Sequence, residues 1–222
     1  MNKPMLSKSP LILSILTATA EEFTEKLAYA KAVTKSVHLD VIDNNFCEGR
    51  TLPIDAWPII DLDYSEAHLM VNNPIEYLEP LAAKKVTRAI IHIESIFDLK
   101  QLAEKAKSLD LLLGWAVNPD TDLDKLRSLY ETSSYIQVMG VHPGHSAQLM
   151  IDTTPTAVAY LKRIPSRRLT VTVDGGVSTE TISELKLAGA NYFVVSHAVF
   201  DAVNKDEAYQ QLLELINEPK HA

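Results

Sequence analysis

A histidine and an aspartate stand two residues apart within an apolar run, where they could bind a divalent metal ion. The run covers residues 37–43, and the two side chains are His38 and Asp40. At this spacing on a β-strand both side chains project from the same face. Because a charged carboxylate is seldom fully buried without a partner, a metal shared with the imidazole is one interpretation. Two solvated polar residues at the end of a strand are the alternative.

The elements that would position these residues are eight short β-like runs that alternate with helical patterns. Alternation of this kind predicts parallel strands with crossover helices, and eight units predict an α/β fold of the (β/α)8 TIM barrel type. The competing open, doubly wound sheet expects a glycine-rich loop after the first strand, and residues 17–20 contain no glycine. We expect a single barrel domain over residues 1–222, with its core at about 11–217. The predicted strands cover residues 11–16, 37–42, 67–71, 88–94, 111–117, 135–141, 169–173 and 191–196. The predicted helices cover residues 20–32, 74–84, 97–108, 122–130, 155–164, 179–188 and 207–216, and residues 43–63 are expected to form an irregular loop.

A barrel of this type carries its active site at the carboxyl ends of the strands. His38, Asp40, His68 and Asp174 all fall near such ends, so we expect them to converge on one mouth. Two imidazoles and two carboxylates suit a divalent transition metal. Other residues at the strand ends receive different interpretations: His92 and Glu94 are expected to form a structural pair, while Met70 and Met139 are either core fillers or a dry wall beside the reacting carbon.

Composition limits the classes of partner. The 222-residue chain carries a formal net charge of −8 and has no basic run, which argues against nucleic acid. No apolar run approaches membrane-spanning length, and no signal-peptide core precedes the first strand. The only cysteine, Cys47, rules out an intrachain disulfide. We therefore expect a cytoplasmic protein with no nucleic acid or membrane partner. We also expect a homo-oligomer that acts on a small molecule.

The ordered motifs of the chain resemble the ribulose-phosphate 3-epimerase family over about residues 11–200. Together the motifs are specific, although any one alone is weak. They are Leu13-Ser14-Ile15-Leu16, His38-Leu39-Asp40-Val41-Ile42-Asp43, His68-Leu69-Met70-Val71 with Asn73-Pro74, His92-Ile93-Glu94, Ala116-Val117-Asn118-Pro119, Val138-Met139-Gly140-Val141-His142-Pro143-Gly144 and Val173-Asp174-Gly175-Gly176-Val177.

The resemblance implies a TIM-barrel isomerase of pentose phosphate metabolism that inverts a carbon beside a ketone. By this resemblance one divalent metal ion (zinc, iron or manganese) is held by His38, Asp40, His68 and Asp174, and stabilises an enediolate. Asp40 and Asp174 are the implied catalytic pair, one removing a proton and the other returning it. The sugar-phosphate substrate, D-ribulose 5-phosphate and D-xylulose 5-phosphate or a related pair, would contact Ser14, His68, Met70, Met139, Gly144, Gly175, Gly176, Ser196 and His197.

Departures from the family pattern cluster where the phosphate would bind. The family's Gly-Phe-Gly-Gly-Gln loop is replaced by Gly144-His145-Ser146-Ala147-Gln148, and its Gly-Ser after the eighth strand is replaced by Ser196-His197. Ile42 stands where the family has a third methionine. Two alternatives to an epimerase therefore stay open. One is a non-catalytic or altered-specificity sugar-phosphate-binding relative, and the other is a phosphosugar aldolase or decarboxylase on the same barrel.

Overall fold

Eight parallel strands close into a barrel, in the order in which they occur along the chain. The structure is a computed structural model, and it describes residues 6–95, 97–144, 148–164 and 169–219. The barrel is closed by the pairing of the first strand with the last, with Leu11 beside Phe193 and Leu13 beside Val195. The predicted (β/α)8 TIM barrel is thus confirmed, and the open doubly wound sheet is wrong. The strands are β1 (Leu11–Ile15), β2 (Ser36–Ile42), β3 (Tyr64–Met70), β4 (Arg88–His92), β5 (Leu112–Val117), β6 (Tyr135–Met139), β7 (Thr170–Asp174) and β8 (Tyr192–Val195).

Helices follow the strands and begin at capping side chains. Thr19 accepts a hydrogen bond from the backbone N–H of Glu22, and Asp98 and Asn204 cap later helices in the same way. Gly189 ends a helix in the left-handed conformation, at φ 110°, as its position in the sequence predicts. The α-helices are α1 (Ala20–Val33), α2 (Leu78–Ala83), α3 (Leu99–Ser108), α4 (Thr154–Lys162), α5 (Ile182–Ala188), α6 (His197–Phe200) and α7 (Lys205–Asn217).

Several short elements differ from the sequence prediction. The helix expected over residues 74–84 begins as a 3₁₀ turn at Pro74–Tyr77 before α2, and the helix expected over 122–130 is the 3₁₀ segment Leu123–Leu129. The loop expected over 43–63 contains the 3₁₀ turn Ile54–Ala56, and α6 was not predicted. Elements of one or two turns carry too few residues for their hydrophobic period to identify them.

Both faces of the strands are buried. In β2 every residue is buried, although Ser36, His38 and Asp40 alternate with Val37, Leu39 and Val41. The apolar set packs in the main hydrophobic core, whereas the polar set points into the barrel, because alternate side chains of a strand face opposite sides. None of the described helices is long and apolar enough to cross a lipid bilayer.

Candidate metal centre and active site

Strand register brings the four predicted ligands together. In the β2–β3 pair, Asp40 lies beside His68. In the β6–β7 pair, Asp174 ends its strand beside Met139. His38 is two residues before Asp40 on β2 and therefore faces the same interior. The sequence prediction that these four side chains converge on one end of the barrel agrees with their placement, since their ligand atoms all lie within 4.8 Å of one another.

The distances between these ligand atoms suit one first-row transition metal. Nε2 of His38 is 3.4 Å from Oδ1 of Asp40 and 3.4 Å from Oδ2 of Asp174, while Nδ1 of His68 is 3.1 and 3.2 Å from the same two oxygens. Metal–ligand bonds of about 2.0–2.1 Å in a tetrahedral arrangement would separate neighbouring ligand atoms by roughly 3.3–3.4 Å. The described side chains could therefore hold a divalent ion without large rearrangement.

The orientation of His38 supplies a second sign of a metal ligand. Its ring is fully buried and its Nδ1 lies 2.8 Å from Oε1 of Glu66, which also has no exposed surface. Since a carboxylate only accepts, we assign the proton of His38 to Nδ1. In the neutral ring, which is the form that can bind a metal, this assignment leaves the Nε2 lone pair facing the two aspartates, and Nε2 has no hydrogen-bond partner among the described residues. A buried imidazole nitrogen left in this state fits a metal ligand.

Glu66 belongs to a buried polar chain that the sequence analysis missed. Tyr64 donates its hydroxyl proton to Oε2 of Glu66, and Nε of Arg88 donates to the Tyr64 oxygen at 3.1 Å. The Arg88 guanidinium also lies over the ring of Tyr135, 4.1 Å from its centroid. The signal was present in the sequence, because Glu66 is two residues before His68 and so shares its face of β3.

His68 is fixed by a chain of hydrogen bonds on its other side. Its Nε2 lies 2.8 Å from Nε2 of His92, whose Nδ1 lies 3.2 Å from Oε2 of Glu94. The second carboxylate oxygen of Glu94 accepts from the Asn118 backbone N–H at 2.9 Å. Burial lowers the pKa of His92 to about 4, so His92 is neutral and accepts from His68 while donating to Glu94. The predicted pairing of His92 with Glu94 is seen in the structure, and the pair directs Nδ1 of His68 towards the aspartates.

The pKa shifts of the two aspartates and the two histidines indicate that the centre of the cluster favours positive charge. Burial raises the pKa of Asp40 and of Asp174, but the contacts with His38 and His68 outweigh it, and both aspartate pKa values are lowered. Conversely, burial lowers the pKa of His38 and of His68, but the carboxylates outweigh it and both histidine pKa values are raised. The shifts of both kinds of group favour positive charge between the carboxylates, which a divalent cation would supply in the same position.

The two aspartates have different neighbours. The hydroxyl of Ser14 donates to Oδ2 of Asp40 at 2.6 Å, so the oxygen of Asp40 that faces the histidines is Oδ1. In Asp174 the oxygen that faces the histidines, Oδ2, also accepts from Nε2 of Gln137 at 2.8 Å. Gln137 is a second residue that the sequence analysis missed, although it lies two residues before Met139 on β6.

A cavity opens above the cluster, with an empty volume of about 590 Å³ that includes space open to solvent. All nine residues expected to contact substrate line it, and so do Asp40 and Asp174, whereas His38 lies beneath. Met70 and Met139 are each 4% exposed, and Ile42 lines the same cavity. The substrate-contacting residues expected from the sequence are therefore gathered around one apolar-walled space: Ser14, His68, Met70, Met139, Gly144, Gly175, Gly176, Ser196 and His197.

The glycines after β7 are required by packing as well as by any ligand. Gly175 and Gly176 have φ of 98° and 68°. A Cβ atom would lie 2.4 Å from Cγ2 of Val141 at the first position and 2.5 Å from the Met150 backbone at the second. Their presence is thus explained without an anion. Ser196, where the family pattern has glycine, donates its hydroxyl proton to the Ser14 carbonyl at 3.2 Å. His145 and its neighbours Ser146 and Ala147 lie outside the described residues.

The loop after β2 contributes to the mouth of the barrel. The ring of Phe46 packs on that of His92 with centroids 4.6 Å apart. A Cβ atom on Gly144, in the loop after β6, would lie 3.2 Å from the Glu48 carbonyl oxygen and 3.7 Å from Sγ of Cys47. The loop after β2 therefore contacts both β4 and the loop after β6, beside the candidate metal centre.

A closed barrel that gathers two histidines and two aspartates beside an apolar-walled cavity defines an enzyme of the TIM-barrel class with a candidate metal centre. The family model described as "Ribulose-phosphate 3 epimerase family" matches residues 10–200. The chain belongs to the ribulose-phosphate 3-epimerase family and is therefore an isomerase of the sugar-phosphate epimerase type.

Three curated relatives are similar in sequence to most of this chain. The chain is 27% identical to a ribulose-phosphate 3-epimerase of Aquifex aeolicus over 186 residues, covering 81% of this chain and 84% of the relative. It is 30% identical to the cytoplasmic isoform of Oryza sativa subsp. japonica over 187 residues, covering 79% and 80%. With the enzyme of Bacillus subtilis the identity is 26% over 217 residues, covering 94% and 98%.

Solved structures of lower identity show the fold alone. A mutant tryptophan synthase α-subunit from Pyrococcus furiosus superposes with a TM-score of 0.71 at 16% identity, covering 96% of this chain and all of that one. Orotidine 5'-monophosphate decarboxylase from Sulfolobus solfataricus gives 0.63 at 13% identity, covering 94% and 98%. These neighbours have different activities on a shared fold, so their similarity does not support the aldolase or decarboxylase alternative.

Proposed function

We propose that the protein is a metal-dependent epimerase that interconverts D-ribulose 5-phosphate and D-xylulose 5-phosphate. The observation that carries the proposal is the cluster of His38, Asp40, His68 and Asp174, in which two carboxylates share one metal position at the floor of the cavity. Inverting a carbon beside a ketone requires a base on one face of that carbon and an acid on the other. The proposed cofactor is one zinc, iron or manganese ion, since two imidazoles and two carboxylates are ligands that these metals share.

The positions of the two aspartates suit a two-base mechanism. Asp40 is on β2 and Asp174 is on β7, and β8 and β1 separate these strands around the barrel. The two carboxylates therefore approach the cavity from different sides. An ionised carboxylate takes the proton from the substrate carbon, and the other aspartate returns a proton to the opposite face. Because both aspartate pKa values are lowered, the aspartate that acts as acid must acquire its proton in the substrate complex. A bound divalent ion supplies a Lewis acid that stabilises the negative charge of the enediolate.

Ser14 can keep its hydrogen bond with Asp40 whether the carboxyl group is ionised or protonated. Its hydroxyl donates to the ionised carboxylate, and after Asp40 takes a proton the same hydroxyl can accept, because a serine oxygen does both. Met70 and Met139 form an apolar wall that keeps water from the reacting carbon. The chain's own residues thus supply a base, an acid, a serine that can hydrogen-bond either form of Asp40, and an apolar wall.

A substrate other than a pentulose 5-phosphate is the second candidate, and one observation favours it. Ser196 and His197 line the cavity where the family has a glycine and a serine, so side chains occupy space that a phosphate would otherwise approach. The catalytic cluster is unaffected by this change. The two candidates therefore share a mechanism and differ in the group recognised at the far end of the ketose.

The proposal is tested by replacing each aspartate separately. Asp40→Asn and Asp174→Asn should each lower kcat for ribulose 5-phosphate by at least about 10²–10⁴-fold, because each removes a proton-transfer group and a metal ligand. Circular dichroism should show that both variants remain folded. If either variant keeps near-wild-type turnover, the two-carboxylate mechanism is wrong for this protein.

A further inference from the structure

Gln137 is a fully buried amide in the barrel interior, directly beside the metal cluster. It is on β6, in register with Thr172 on β7, and it precedes Met139 by two residues. Its Nε2 donates to Oδ2 of Asp174 at 2.8 Å and lies 3.5 Å from Sδ of Met139. Its Oε1 is buried and has no hydrogen-bond partner among the described residues. Half of this amide is engaged with a catalytic carboxylate, and the other half is unpaired.

Folding alone does not account for an amide in this position. A buried carbonyl oxygen without a donor destabilises a protein, and an apolar side chain of the same volume would avoid that cost. Leucine at position 137 would fill the space between Met139 and Asp174 without an orphaned oxygen. Polar groups that break the packing rules in this way are characteristic of functional sites.

The amide orientation is dictated by Asp174. Turning the amide over would place Oε1 against a carboxylate oxygen, and two acceptors repel each other. Nε2 therefore faces Oδ2, which is also the oxygen that lies 3.2 Å from Nδ1 of His68. No hydrogen bond from the described residues reaches Oδ1 of Asp174, and Asp174 lines the cavity.

Asp40 is held in the opposite way. Ser14 occupies Oδ2, the oxygen of Asp40 that points away from the histidines, while Oδ1 faces His38 and His68 without a further donor. Each carboxylate thus has one anchored oxygen. In Asp40 the anchored oxygen is the one outside the metal position, and in Asp174 it is the one inside it.

We propose that Gln137 is a positioning residue: it fixes Oδ2 of Asp174 at the metal and leaves Oδ1 free to carry the proton. The proton leaves the substrate carbon, its electron pair passes into the enediolate, and the new O–H bond forms at Oδ1. The inference rests on the proposed metal centre and deepens it, because it assigns different roles to the two oxygens of one carboxylate.

The test measures metal affinity and stability in the same variants. Gln137→Leu and Gln137→Met remove the donor at similar volume, and Thr172→Val is the matched control, since Thr172 is buried in the adjacent strand with an unpaired hydroxyl. Co²⁺ binding to metal-free protein is followed by its visible spectrum in competition with a chelator, and thermal unfolding is recorded without metal.

The expected result is a separation of affinity from stability. Both Gln137 variants should bind Co²⁺ about 10–100-fold more weakly than wild type, as is typical when a neighbour of a metal ligand is removed. Their metal-free melting temperatures should stay near that of wild type, because removal of the orphaned oxygen offsets the lost hydrogen bond to Asp174. Thr172→Val should bind Co²⁺ as wild type does. With ribulose 5-phosphate, the Gln137 variants should lose kcat while KM stays near the wild-type value.

Two results overturn the inference while leaving the proposed function intact. One is wild-type Co²⁺ affinity in both Gln137 variants when wild type itself binds one equivalent. The other is a fall in melting temperature that matches the loss of affinity, which would make the amide a structural residue. Absence of Co²⁺ binding by wild type would instead overturn the metal centre, and this inference with it.

Discussion

Replacing Glu66 by glutamine removes one negative charge behind the candidate metal centre and leaves the shape of the side chain almost unchanged. Glu66 has no exposed surface, accepts from Nδ1 of His38 at 2.8 Å and accepts from the hydroxyl of Tyr64. In Glu66→Gln the amide oxygen can still accept from His38, but as a neutral group. The imidazole is then less firmly held and its Nε2 becomes a weaker metal ligand.

The size of the effect follows from the hydrogen bond that is weakened. A hydrogen bond to a charged group contributes about 1.5–3 kcal/mol, against about 0.5–1.5 kcal/mol for a neutral pair. A loss of about 1–2 kcal/mol corresponds to roughly 5- to 30-fold in a dissociation constant. Arg88, which is 4% exposed and linked to Glu66 through Tyr64, loses a buried counter-charge, so the free energy of unfolding should also fall.

Competition with a chelator measures the metal dissociation constant, and Tyr64→Phe serves as the control. That variant removes the hydroxyl between Arg88 and Glu66 and leaves the bond from Glu66 to His38 in place. It should lose stability and keep near-wild-type metal affinity, whereas Glu66→Gln should lose both. Equal metal affinity in Glu66→Gln and wild type would refute the reasoning that Glu66 acts through His38.

The remaining predictions concern pH and substrate recognition. Burial lowers the pKa values of His38 and His68, but Asp174 and Asp40 outweigh it and raise both, so in metal-free protein the imidazoles hold protons above their usual pKa of about 6.5. Metal must displace these protons, so Zn²⁺ affinity should increase as the pH rises above about 6.5. In the metal-free protein the protonated histidines stabilise the fold, and this contribution to the free energy of unfolding should be lost as the pH rises through their raised pKa values. A chelator titration at several pH values, with thermal melts of metal-free protein, checks both slopes, and falling affinity would contradict them. His197→Ala should raise KM for ribulose 5-phosphate by about 10-fold if the imidazole binds the phosphate, since a hydrogen bond to a charged group is lost. Steady-state kinetics on ketoses with and without phosphate decide this, and an unchanged KM in the variant would show that His197 does not contact the phosphate.

The barrel could be predicted because its strands are short apolar runs that alternate regularly with helical patterns. The boundaries of β2 in the structure, Ser36–Ile42, differ by one residue from the predicted start, and β3 begins three residues earlier than expected. The placement of His38, Asp40, His68 and Asp174 followed from one rule, that parallel strands of a barrel present their carboxyl ends at one mouth.

The partners of these four residues could not be assigned from the sequence, because they depend on register between strands distant in the chain. Glu66 reaches His38 only because β2 and β3 pair with those two residues opposite each other. Gln137 is opposite Thr172 in the β6–β7 pair, and it reaches Asp174 diagonally, two residues further along β7. A two-residue spacing identifies a shared face, but it does not say which side chain of the next strand completes the contact.

The packing role of the two glycines after β7 could be recognised only from the structure. The family resemblance implies that Gly175 and Gly176 contact the substrate, whereas the structure shows that a Cβ atom at either position would collide with Val141 or Met150. Packing of the loop after β6 against the loop after β7 sets this requirement. The phosphate end of the cavity is therefore better tested through His197 than through the glycines.

The account is tested most directly by adding metal to metal-free protein and following ribulose 5-phosphate in deuterated water by nuclear magnetic resonance. If the cluster of two histidines and two aspartates is the catalytic centre, incorporation of deuterium at carbon 3 and formation of xylulose 5-phosphate should rise together. Both should saturate at about one equivalent of metal per chain, as one four-ligand site requires. Full turnover by the metal-free protein, or binding of one equivalent without any exchange at carbon 3, would contradict the central claim.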